Sequence, residues 1–180
     1  IGVRLVGSEM CIRDRWDVSA GIVVDRIINE RFTLSGSINY IVQIEQEGEE
    51  RIYEESDSSI TNQVDSNTNR DLGDILQLAI AGQYKIGDSL TVQSSYSFQK
   101  KERDVYTGTK YAASNYAFLG ADTDQEMEAI QLGMTFDTIT LYRKKQFIAP
   151  MEVGIGYTKP IAGKNVLTDS LVSANLSVYF

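Results

Sequence analysis

Histidine is absent from this 180-residue chain, and cysteine occurs once, at Cys11. Without imidazole, no side chain has an ordinary pKa that makes it a general base near neutral pH. Without further thiols or imidazoles, no Cys/His cluster is present to hold zinc. Enzymes built on either group are excluded from these residues, and no cofactor site is legible. Proline is almost as scarce, at Pro150 and Pro160, so nearly every residue can donate to a backbone ladder. No stretch approaches the eighteen or so consecutive apolar residues of a membrane-spanning helix. Basic residues are outnumbered, seventeen against twenty-five acidic, which argues against a nucleic-acid partner. The segment Ile1 to Arg15 also lacks the apolar core and small-residue cleavage site of a signal peptide.

That first segment fits no strand or helix template. Leu5-Val-Gly-Ser-Glu-Met-Cys-Ile-Arg-Asp-Arg15 resembles the in-frame translation of a transposase-type sequencing adapter. In it, ATG-TGT-ATA-AGA-GAC reads Met10 to Asp14, and CTC-GTG-GGC-TCG-GAG reads Leu5 to Glu9. The expected organisation is therefore a non-native segment over 1–15 and one domain over 16–180. Residues 1–15 carry Arg4, Arg13 and Arg15 against Glu9 and Asp14, so seventeen and twenty-five become fourteen and twenty-three, a net charge of −9. Cys11 leaves with the adapter.

From Trp16 onward the dominant pattern is period-two alternation, which marks strands with two unlike faces. Trp16, Val18, Ala20, Ile22 and Val24 alternate with Asp17, Ser19, Gly21 and Asp25. Phe32 to Ile44, Ile75 to Tyr84, Leu90 to Phe98, Ile130 to Phe136, Met151 to Thr158 and Leu171 to Phe180 repeat it, for seven predicted strands. The parity is lost near Asp137-Thr138, which marks a bulge or a strand end. Connection lengths alternate as well. Short turns near 29, 87 and 144 separate long loops over 46–73, 100–126 and 160–170. Short turns at one end and long loops at the other are the layout of an antiparallel barrel in an outer membrane.

A soluble sandwich alternates too, with its apolar side as the core. The polar face here, however, is made of small neutral residues rather than the Lys and Glu of a solvated sheet. Ser35, Ser37, Asn39, Gln77, Gln83, Gln93, Ser95, Gln131 and Glu152 are its candidate lumen-lining members, joined by Ser97 and Ser177. Phe32 and Tyr40 stand about 26 Å apart along one strand, or about 20 Å of depth at a barrel tilt near 40°. Phe147 and Tyr157 give a similar span. Both pairs suit aromatic girdles at two interfaces.

The end of the chain carries a family resemblance. Ala174-Asn-Leu-Ser-Val-Tyr-Phe180, with Leu176, Val178 and Phe180 alternating, resembles the last strand of Gram-negative outer-membrane proteins. Those characteristically end in Phe with apolar residues at alternate positions before it. The resemblance implies an all-β, antiparallel up-and-down transmembrane β-barrel, of which this chain is the C-terminal part. It also implies that the terminal strand is read by the barrel assembly machinery and closes against the first strand. Since single-chain bacterial barrels have an even strand number, seven strands imply that at least one lies upstream. Outer-membrane lipid is then the expected surrounding.

Other candidate sites are fewer. Asp65-Ser-Asn67-Thr-Asn69-Arg-Asp71 spaces oxygen ligands like the start of a calcium loop, but Arg70 stands where that loop needs Gly and Leu76 where it needs Glu. The other reading is a solvated surface loop, continuous with the acidic run Glu47 to Asp57. Asp17, Asp25, Asp137 and Glu152 fall on the polar side and would bias a pore toward cations; alternatively they pair with Arg or Lys from the missing strands. The loop Tyr106 to Phe118 folds inward as a constriction, binds a ligand, or is a surface loop packed on itself. Three functions remain open on these grounds: a passive channel for small solutes, a barrel that displays its loops or anchors a partner, and a soluble all-β binding domain. A histidine-free hydrolase is disfavoured.

Overall fold

The computed structural model describes residues 2–3, 16–52 and 64–179. In chain order it forms β1 (Gly2–Val3), β2 (Asp17–Asn29), β3 (Phe32–Gln43), β4 (Gln46–Arg51), β5 (Val64–Asp71), β6 (Ile75–Ile86) and β7 (Leu90–Lys101). There follow β8 (Val105–Thr107), α1 (Ala113–Leu119), β9 (Gln125–Asp137), α2 (Ile139–Arg143), β10 (Met151–Lys164) and β11 (Leu171–Val178). All pairings are antiparallel, and the chain is of the all-β class.

The seven predicted strands are β2, β3, β6, β7, β9, β10 and β11, and they pair in that order in one sheet. Gly2 and Val3 add a two-residue bridge to the outer edge of β2. The sheet is open, because β2 and β11 are not hydrogen-bonded to each other. Its strands overrun the predicted ends. β9 starts at Gln125 and β10 continues past Pro160, where the ladder is offset by a bulge. The apolar alternation stops short of these ends, but backbone pairing needs no apolar side chain. Asp137-Thr138 is a strand end, after which α2 fills the connection expected to be a short turn.

Direct cross-strand partners share a face, so the register sorts every side chain. The apolar face carries Ile22, Ile38, Ile80, Ile130, Leu132, Met134 and Ile155, all exposed. Opposite them the smaller Ser35, Ser37, Asn39, Gln77 and Ser95 are only partly exposed. Extensive contacts join ladder neighbours and α1 with β8, and among the described elements no comparable contact crosses either face. Among the described residues the buried apolar side chains are Ile52, Tyr116 and Ala129. Among the described residues, this sheet has no core on its apolar side.

Candidate functional site

The ladder places every candidate lumen residue on one face. Ser35 opposes Ala81, Ala81 opposes Ser95, and Ser95 opposes Gln131. Gln83 opposes Gln93, Ser37 lies two residues from Ser35, and Glu152 opposes Ser177. Asp25 opposes Ser35, Asp17 opposes Gln43, and Asp137 stands directly opposite Glu152, so the four acids share that face too. Asp137 accepts a hydrogen bond from the Ile139 N–H at 2.6 Å, and Glu152 accepts one from the Tyr179 hydroxyl at 3.5 Å.

One rung of this face is a chain of amides. Asn39 Nδ2 donates to Gln77 Oε1 at 3.1 Å, and Gln77 Nε2 donates to Gln99 Oε1 at 3.2 Å. Each amide offers both a donor and an acceptor, so three strands are tied side by side without charge. Gln99 was not among the predicted residues; its two-residue spacing from Ser97 carried the signal.

Tyrosines stand at the upper border of the apolar face or one rung inside it. Tyr40, Tyr96 and Tyr157 turn their hydroxyls to Asp74 at 2.6 Å, Glu128 at 2.9 Å and Ser170 at 3.2 Å. An amphipathic ring with its polar tip bonded suits an apolar–aqueous boundary. At the lower border stand Phe32, Tyr84 and Phe136. Phe147, expected as a girdle residue paired with Tyr157, lies outside the strands, between α2 and β10.

The two longest connections meet in a second, three-stranded sheet, ordered β4-β5-β8. Asn69, Arg70 and Asp71 pair with Thr107, Tyr106 and Val105. Tyr116 is its buried centre. Its hydroxyl donates to the Asp65 carboxylate and accepts the N–H groups of Lys110 and Tyr111, each at 3.2 Å. Arg70 pairs with Glu50 at 2.8 Å. Asp104 accepts the Gly73 N–H at 2.8 Å and the Lys101 ammonium, so it pins one connection to the other. The loop Tyr106 to Phe118 therefore packs on this crown through β8 and α1. Sequence reasoning missed the crown because strands this short alternate over too few residues to register.

Asp65, Asn67, Asn69 and Asp71 lie along β5, extended rather than coiled, and Asp65 is committed to Tyr116 and the Asn67 N–H. Among the described residues no three His, Cys, Asp or Glu side chains gather as a metal site. Phe180, residues 4–15 and the acids Glu54, Glu55 and Asp57 lie outside the described residues.

The Tyr116 hydroxyl, and after it the Asn67 N–H, hold the Asp65 carboxyl below the ordinary carboxylate range. Burial, with the Asp65 bond behind it, pushes the Tyr116 hydroxyl up, so it remains a donor into the alkaline range. A carboxyl depressed in the folded state stabilises fully above its unfolded pKa, and that contribution is lost as pH falls through the folded one. The crown is thus expected to loosen on acidification below the usual carboxylate range. Limited proteolysis within 102–124 checks this: Asp65→Asn should be cut faster than wild type at neutral pH and lose most of the acid-dependent increase. Parallel acid profiles for the two proteins would refute the assignment.

No protein-family model and no curated protein matches this chain.

Proposed function

We propose that this chain is part of the wall of a bacterial outer-membrane β-barrel that forms a passive, cation-preferring path for small polar solutes. One observation carries the reading: the apolar band runs oblique to the pairing direction. At its upper border Leu76, the last apolar residue of β6, pairs with charged Lys100 of β7. Phe98 of β7 pairs with Glu128 of β9, and Ile130 of β9 pairs with Lys159 of β10. The band thus descends one rung per strand. At the lower border it falls from Phe32 to Met151, two rungs over four strand steps.

A rung is two residues, about 6.8 Å along the strand, and neighbouring strands are about 4.8 Å apart. The mean descent of the two borders is then about 5 Å per strand step, an angle of about 45°. Strands of transmembrane barrels tilt by roughly 35–45°. A slab perpendicular to the barrel axis cuts tilted strands along such a slanted line, whereas the core of a sandwich follows its partner sheet. Measured across the band, Leu76 to Ile86 spans about 24 Å and Leu90 to Phe98 about 19 Å, near the roughly 25 Å apolar height of a barrel. In water, each Leu or Ile left bare would forgo about 1.5–3 kcal/mol of burial. Lipid removes that cost.

The opposite face supports the solute path. It is polar, carries no aromatic side chain from Ser35 to Asn39 or from Gln93 to Gln99, and includes Asp25, Asp137 and Glu152. Two lysines share this face: Lys101, which is engaged by Asp104, and Lys85, which stands opposite Thr91. The folded crown favours a second reading, a barrel whose main task is to display a rigid loop structure. Planar-bilayer recording of the complete protein separates the two. A conducting path should prefer cations at low salt and lose that preference as salt screens the acids. Asp25→Asn and Glu152→Gln should each lower the cation-to-anion permeability ratio by roughly a factor of two at low salt. A folded but electrically silent protein would leave the display role.

A further inference from the structure

Four inward-facing positions pair a glycine with a polar side chain directly across the ladder. Gly133 opposes Gln93, Gly154 opposes Asn175, Gly156 opposes Ser173, and Gly21 opposes Asn39. In each pair the polar side chain lies over the glycine. A Cβ on Gly133 would stand 2.6 Å from Gln93 Nε2, 2.8 Å from its Cγ and 3.1 Å from its Cδ, so the whole side chain crosses that Cα. A Cβ on Gly154 would collide with the Asn175 amide, and one on Gly156 would meet Ser173 Oγ at 2.7 Å. Outward-facing Gly36 has nothing within 4 Å of such an atom. The glycines are thus used differently on the two faces.

We propose that these glycines hold the facing side chains flat against the wall, and so set the free width of the solute path. The proposal rests on the reading of the polar face as the lining of that path. Its physical basis is steric. Gln93 is anchored by a backbone that the ladder fixes on both sides. A methyl group at Gly133 presses on its Cγ, near the base of the side chain, so a small motion of the amide tip does not relieve the contact. The side chain must change rotamer, and the direction left open is away from the sheet, into the path. Asn175 crosses Gly154 from the edge strand β11, whose backbone pairs with β10 alone, and a Cβ there would stand 3.0 Å from its Cγ. A polar wall of recumbent side chains leaves more open section than the same residues standing upright, although composition is unchanged.

The test is single-channel conductance in potassium chloride for the complete protein carrying Gly133→Ala, Gly154→Ala or Gly36→Ala. Heat-modifiable gel migration reports the folded fraction of each. Gly133→Ala and Gly154→Ala are expected to lower conductance by about 1.5-fold or more, since conductance follows open section. Gly36→Ala should leave it unchanged. Adding Gln93→Ser to Gly133→Ala removes the displaced amide and should restore conductance; it should likewise restore folded yield if the single variant loses it. Wild-type conductance in both inward variants, an equal loss in Gly36→Ala, or failure of the Gln93→Ser rescue would overturn this assignment and leave the channel reading standing. A silent wild-type protein overturns both.

Discussion

Ile80→Arg is expected to destabilise the membrane-inserted protein by about 2–4 kcal/mol, the cost of a cation at mid-bilayer on a barrel's lipid face. At about 1.4 kcal/mol per tenfold change, this lowers the folded-to-unfolded ratio by roughly 30- to 700-fold. Ile80 lies near the middle of the apolar run of β6 and is 60% exposed, so in water the same substitution would cost little. Two comparisons make the result specific. Leu76→Arg, at the border where Leu76 already faces Lys100, should cost about 0–1 kcal/mol. Ala81→Arg, one residue along on the polar face, should be tolerated far better than Ile80→Arg despite adding the same charge. Equilibrium unfolding from lipid vesicles measures all three. Equal, small costs at the three positions would rule out a lipid-facing band and return the sheet to water.

Asp104→Ala is expected to release the crown. The substitution strips two donors at once, the Gly73 N–H and the Lys101 ammonium, and both lie where water reaches poorly. Removing a hydrogen bond to a charged acceptor costs about 1.5–3 kcal/mol. That is enough to open a local structure whose buried apolar side chains, among the described residues, are Ile52 and Tyr116. Hydrogen exchange should accelerate in β5, β8 and α1 while β6, β7 and β9 keep their protection. Asp104→Asn retains an acceptor for Gly73 but surrenders the charge pair, so its effect should be smaller. Uniform acceleration across the main sheet would mean that the crown is not a separate unit.

Sequence alone was a good guide wherever the cause is local. Side chains of an extended chain alternate between faces because of backbone geometry, so Phe32 to Gln43 and Leu90 to Phe98 declared both their conformation and their two faces. The same geometry assigned Ser35, Asn39, Gln77, Gln93 and Gln131 to one side before any pairing was known. Pro150, which lacks a backbone donor, stands immediately before β10 for an equally local reason. The ends of β9 and β10 were read short, because Glu126, Glu128 and Lys159 break the apolar pattern while their backbone goes on pairing.

Tertiary structure decided what depends on partners distant in the chain. The slant of the apolar band exists only in the register between strands, since each strand read by itself shows a run of apolar residues with no reference height. The crown brings Asp65 to Tyr116 across fifty-one positions, and the pull that extends β5 comes from β4 and β8, not from its own polar residues. Gly133 and Gly154 look like ordinary strand glycines until Gln93 and Asn175 are laid across them. Local sterics choose strand and face; pairing across the sheet chooses height, neighbour and the room each side chain has.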